Sequence, residues 1–274
     1  MRMKLTVLAL AAGLSFGATA QAKDVHINDG TCGYTTNYDV RVNSNGVFFD
    51  NKDAKPASVY MHDGKLVVDG KSIAVTDDDA QRLRNYENGV RQMLPEVTVI
   101  AREGVDIGFT AMRTVLATFS ENEGDRRKYT SKLEASRNKA LTEIDNTLAK
   151  GVWNRESFGD AMGEAMGSTI ADLASTVAAN AVAAALTGDQ SKVAALEARA
   201  NSLDKSVNKE IEARADKLSV RADALCPRIE AMAQTQQQFQ FRLSDGSRLQ
   251  LITYNKDNDY RHSTEGKPAK VASR

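Results

Sequence analysis

The chain has 274 residues, and its 36 Lys and Arg balance its 36 Asp and Glu. That balance removes the electrostatic reason to expect nucleic acid or an anionic membrane surface as a partner. Only 6% of residues are aromatic, which argues against stacking platforms for bases or sugars; the length suits one large domain, or a helical domain with a small β appendage.

Residues 1–22 read as a cleavable secretory signal peptide. Arg2 and Lys4 precede an apolar run from Leu5 to Phe16, and Ala20-Gln21-Ala22 places small residues ahead of a cut between Ala22 and Lys23. The run is shorter than the ~20 residues that span a bilayer, so no membrane anchor is expected. No cysteine lies near the cut, so no lipid attachment is expected either. The chain's two cysteines are Cys32 and Cys226. In an oxidising compartment such a pair reads as a disulfide; in a reducing one it reads as two buried thiols. A bridge closing so long a loop would stabilise by roughly 5 kcal/mol in the loop-entropy description. Neither cysteine belongs to a CxxC pair, which argues against redox catalysis.

Residues 23–75 carry period-two patterning. Val25-His26-Ile27 and Tyr38 to Val42 alternate as half-buried strands do, and Val47-Phe48-Phe49 follows Asn45-Gly46. Ala57–His62, Lys65–Val68 and Ser72–Val75 are separated by Asp63-Gly64 and Asp69-Gly70. Asp-Gly pairs suit two-residue hairpin turns, whose central residues need positive φ. A meander of short antiparallel strands is expected.

The period changes at Thr76, and residues 76–234 read as a helical bundle. Thr76-Asp77-Asp78-Asp79 offers a capping hydroxyl and carboxylates facing the positive helix end. Ala80, Leu83, Val90, Met93 and Leu94 follow at helical spacing, with a break or kink expected at Pro95. Spacing resumes from Val97 to Phe119, a turn is expected over Glu121–Gly124, and a third helix runs to Lys150, ended by Gly151. A fourth helix, from Arg155 to Leu186, carries Gly159, Gly163 and Gly167 four apart in a row of small residues. Each interior glycine costs about 1 kcal/mol against alanine, so close approach of a second helix is the useful explanation. That helix could belong to this bundle, or the face could serve self-association or membrane contact. Glu164, Asp172 and Asn180 argue against a stable transmembrane span.

The stripe from Val193 to Met232 predicts one last helix of about 40 residues, roughly 60 Å long, with a possible kink at Pro227. Residues 235–254 then return to period two. Phe239, Phe241 and Leu243 face Leu249 and Leu251 across Asp245-Gly246-Ser247, a predicted closing hairpin. Residues 255–274 are polar and are expected to form a mobile tail.

The motifs of catalysis are missing. His26, His62 and His262 stand at no metal-ligand spacing, and there is no nucleophile elbow or phosphate loop. Asp77, Asp78 and Asp79 fit a helix start better than a cation site. Trp153 fits a core anchor or lid better than a ligand platform. No catalytic, cofactor-binding or metal-ligating residue is assigned, and a non-enzymatic protein is expected.

One combination of features resembles a known group. A cysteine in a short β segment leads into Asp79-Ala80-Gln81-Arg82, Asn85-Tyr86-Glu87 and Arg91-Gln92-Met93-Leu94-Pro95, and the second cysteine lies in Leu225-Cys226-Pro227. This resembles the YggN-like family of Gram-negative bacterial proteins, a domain-of-unknown-function family. The likeness covers most of 24–232, with the closing hairpin and tail beyond Gln238 expected in a subset of the family. It implies a periplasmic location and a Cys32–Cys226 bridge, and it supplies no activity. The expected architecture is α+β: an N-terminal antiparallel meander, an elongated antiparallel helical bundle and a closing C-terminal hairpin. The expected role is binding, scaffolding or chaperone-like work with protein partners in the cell envelope. The alternative is a self-associating, homo-oligomeric or membrane-associated protein using the glycine face.

Overall fold

The computed structural model describes residues 32–119, 123–154 and 190–256, with scattered positions between 163 and 182. The signal segment, Val25-His26-Ile27, Gly159 and the tail beyond 256 lie outside the described residues. After β1 (Tyr34–Thr35), the chain forms the expected meander: β2 (Asp39–Asn43), β3 (Gly46–Asp50), β4 (Ser58–His62), β5 (Lys65–Val68) and β6 (Lys71–Ile73). The Asp-Gly turns form as the sequence requires, with φ of 48° and 78° at Asp63 and Gly64, and 47° and 75° at Asp69 and Gly70. Alternation sends Val47, Phe49, Val59, Met61, Leu66 and Val68 into one core, shared with Leu83, Tyr86 and Val90.

A strand without a sequence signal completes the sheet. β7 (Val152–Trp153) pairs with β2, so the order is β6-β5-β4-β3-β2-β7. Gly151 permits this approach. It adopts φ 83° to end the 3-10 turn Leu148–Lys150, and a Cβ there would collide with the Val42 carbonyl.

Helix α1 (Asp77–Phe119) begins where expected, with the Asp79 N–H donating to Thr76 Oγ1 at 3.2 Å. It runs unbroken through Pro95, contrary to the predicted break. Proline removes one helical hydrogen bond, and here the helix is fixed on both sides of it. Its first half packs on the sheet and its second half lies between two other helices. Thr98 Oγ1 also donates to the Leu94 carbonyl at 2.9 Å.

α2 (Glu123–Asn146) runs antiparallel to α1, as the Arg137–Asp106 and Arg113–Glu134 pairs show. The predicted continuous C-terminal helix is two helices, α3 (Gln190–Asp223) and α4 (Cys226–Gln237). Pro227 falls in the first turn of α4, where its missing N–H has no helical partner to lose. It starts a helix rather than kinking one. Arg221 pairs with Glu103 and Arg228 with Glu96, aligning α3 and α4 antiparallel to α1.

The closing segment differs from a simple hairpin. Asp245-Gly246-Ser247 does form the turn, with the Leu243 N–H donating to the Ser247 carbonyl at 3.0 Å. Phe239, Phe241, Leu243, Leu249 and Leu251 are all buried. The arms form no ladder, because helix side chains take their N–H groups. The Asp79 carboxylate accepts from Gln240 and Phe241 at 3.1 Å, and Gln236 Oε1 accepts from Leu251 at 2.6 Å and Ile252 at 3.0 Å. The strand that does form, β8 (Thr253–Tyr254), pairs antiparallel with β1. The fold is α+β, its first and last strands joined in a separate two-stranded sheet.

Candidate functional site

The site is built on one face of α1. Tyr86, Val90, Met93, Leu94, Val97 and Ile100 recur at helical spacing, and all six border one cavity of about 250 Å³. Tyr86 and Val90 are buried, whereas Met93, Leu94, Val97 and Ile100 are left half-buried along the wall. Val40 and Phe49 of the sheet, Trp153 of β7, Ile229 and Met232 of α4, and Ile252 supply other walls. Among the described residues, no Lys, Arg, His, Asp or Glu lines the cavity.

The first and last strands, β1 and β8, meet beside this cavity. Cys32 lines it and is bonded to Cys226, with Cα atoms 5.6 Å apart across a separation of 194 residues. Tyr34 and Thr35 line it from β1 and pair with Tyr254 and Thr253. The Tyr34 and Tyr254 rings lie 5.1 Å apart, and the Asn255 N–H donates to the Gly33 carbonyl at 2.8 Å. The bridge expected from the two cysteines therefore frames the cavity.

Tyr86 is the polar exception in the buried wall. It is 1% exposed, packed near Phe49 and Phe239, and its hydroxyl has no hydrogen-bond partner among the described residues. Burial holds its phenol well above the ordinary tyrosine range, so the hydroxyl stays a neutral donor. Beyond the cavity, Ile100 and Ala222 continue into an apolar trough between α1 and α3, floored by Gly104, Gly108, Ala215 and Ser219.

One helical position along from Tyr86, Glu87 does structural work. It accepts from the Asp63 N–H at 2.9 Å and from Arg91 at 2.6 Å, and lies 3.2 Å from His62 Nδ1. Burial pushes its carboxyl up, but the hydrogen bonds from Arg91, Asp63 and His62, with the Arg91 charge, outweigh that and hold it below its ordinary value. Arg91 also donates to the Asn43 carbonyl at 2.7 Å. The cluster ties α1 to two turns of the sheet.

Among the residues singled out by sequence, Trp153 lines the cavity and touches both hydrophobic cores. Asp79 is committed to Arg82 and to the backbone of the closing segment. Gly163 and Gly167 are helical and exposed, and among the described residues a Cβ added at either meets nothing within 4 Å. Among the described residues, no helix is long and apolar enough to cross a membrane.

The cavity itself has no motif, since an apolar face reads alike whether filled or open. The available signal was Tyr86, a hydroxyl within an otherwise apolar stripe.

Residues 32–252 match a family model described as "Protein of unknown function (DUF2884)". The chain belongs to this family. The match includes both cysteines and every residue that lines the cavity. It also runs past Gln238 to Ile252, so the Phe239–Leu251 part of the closing segment lies within the family's span. No curated protein and no solved structure matches the chain.

Proposed function

We propose that this family member is a non-enzymatic binding protein of the periplasm, and that it holds an apolar group in the cavity between α1, α4 and the sheet. The observation that supports this most is an apolar wall left half-buried beside a densely filled core. Apolar surface withdrawn from water stabilises by about 25 cal/mol per Å², so an open concave wall is a standing capacity for a ligand. An apolar cavity of about 150 Å³ accepts benzene. At 250 Å³ this one has room for a larger hydrocarbon group.

The signal-like residues 1–22 and the Cys32–Cys226 bridge support an exported, oxidising setting. Capture of apolar groups is also the elementary act of a chaperone-like or scaffolding envelope protein. The test uses N-phenyl-1-naphthylamine, a neutral probe that brightens in apolar surroundings. The wild-type chain should enhance its emission saturably. Val97→Phe, which places a ring in the cavity, should weaken binding about tenfold while leaving the helical circular dichroism unchanged. Equal binding by both proteins, or no binding by either, would remove the reading.

A further inference from the structure

Resting on that binding reading, we propose that the ligand is an uncharged long-chain molecule with one neutral oxygen acceptor. The acceptor takes a hydrogen bond from Tyr86 Oη, and the chain runs out along the α1–α3 trough. Three observations carry this assignment. Tyr86 lines the cavity almost wholly buried, yet its hydroxyl lacks a partner among the described residues. A buried donor without an acceptor is unfavourable, and a phenylalanine would avoid the penalty at nearly the same volume. An ester or ketone oxygen arriving with the ligand would satisfy it.

The second observation is the lack of charge among the described lining residues. A carboxylate or ammonium entering there would lose its hydration with no counter-charge to replace it. The acceptor is therefore neutral. The third is shape. Ile100 and Ala222 border both cavity and trough, and Gly104 and Ser219 keep the floor low beyond them. From Ile100 to Gly108 the trough follows α1 for about 12 Å at ~1.5 Å per residue. A narrow apolar path continuous with a cavity fits an extended chain better than a compact ring system.

The chain's single tryptophan, Trp153, lines the same cavity and reports on it directly. Its emission would be followed while the purified full-length chain, disulfide intact, is titrated with undecane, methyl decanoate and decanoate. The ester should bind about tenfold tighter than the alkane, the fold-change of one net hydrogen bond, and the carboxylate weakest. Tyr86→Phe should erase the ester's advantage over the alkane. Gly104→Leu should weaken methyl decanoate and leave methyl butanoate unchanged.

An ester advantage that survives Tyr86→Phe, or none in the wild type, would overturn the role of the hydroxyl. Tighter binding of decanoate would overturn the neutral acceptor. Equal effects of Gly104→Leu on both esters would overturn the path of the chain. In each of these cases the cavity still binds. Silence of Trp153 toward every probe would instead remove the binding reading on which the inference rests.

Discussion

The second half of α1 has two seams, and they differ in side-chain size more than in polarity. Toward α2, Val105, Phe109 and Leu116 meet Leu133, Ala140 and Ile144, and every one of these is buried. Toward α3, Ile100, Gly104 and Gly108 face Ala215, Leu218 and Ser219, and the trough stays open. Ion pairs flank both seams, Arg137–Asp106 on the first and Arg221–Glu103 on the second. Exposed pairs of this kind contribute little and do not distinguish the two. Helical periodicity selects which faces meet. The size of the residues at the meeting point decides whether the seam closes.

The largest expected effect tests that distinction. Ile144 is fully buried in the closed seam, so Ile144→Ala should cost about 2–5 kcal/mol through lost burial and a cavity. Leu218 is only half-buried at the open seam, and Leu218→Ala should cost about 1 kcal/mol. Urea unfolding of the two variants compares them directly. Equal costs would mean that the α3 seam is as well packed as the α2 seam.

Acid should separate the sheet end from the closed seam. Glu87 has its carboxyl held below the ordinary value of 4.5 in the folded chain. A group depressed in this way contributes its full stability above the ordinary carboxylate pKa, and loses it as pH falls through the folded value. Glu87→Gln should cost about 2 kcal/mol at pH 7, as expected for hydrogen bonds to a charged group, and should flatten the stability profile below pH 4.5. Hydrogen exchange at the Asp63 amide should quicken in acid before exchange around Ile144 does. The reverse order would place the acid-labile region in the α1–α2 seam.

Most of the fold was legible because local chemistry and tertiary structure agreed. The Asp63-Gly64 and Asp69-Gly70 pairs dictated their turns, Thr76 capped α1, and Gly151 ended its segment. Legibility failed where long-range partners override a local preference. Pro95 reads as a break until the sheet and two helices are seen to hold both sides of it. Asp79 reads as one of three helix-start acids, but its carboxylate anchors Gln240 and Phe241 more than 160 positions away. Val152–Trp153 is too short to carry a strand period, and it pairs because Gly151 lets it reach Val42. The cysteine pair made one edge of the site visible. The open wall between Met93 and Ile100 was not, since spacing records a helix face and is silent on what covers it.

The smallest expected effect bears most directly on why a seam would be left open. If the α1–α3 trough and the cavity were packing defects, each polar atom in them would be a liability without return. Tyr86→Phe keeps the ring between Phe49 and Phe239 and removes only a hydroxyl that has no partner among the described residues. In the ligand-free chain it should therefore raise stability by about 1 kcal/mol, since a buried unsatisfied donor is lost and its packing retained. The same substitution in Tyr38, whose hydroxyl donates to the Pro56 carbonyl at 2.8 Å, should lower stability by about as much, because that bond is lost and the carbonyl left unpaired. Urea midpoints with unchanged slopes would measure both. Opposite signs would identify the Tyr86 hydroxyl as a group whose presence weakens the empty protein, the usual cost of a residue kept for binding. A loss of stability in Tyr86→Phe would show that the hydroxyl already has a partner in the empty chain, and the case for an incoming acceptor would go with it.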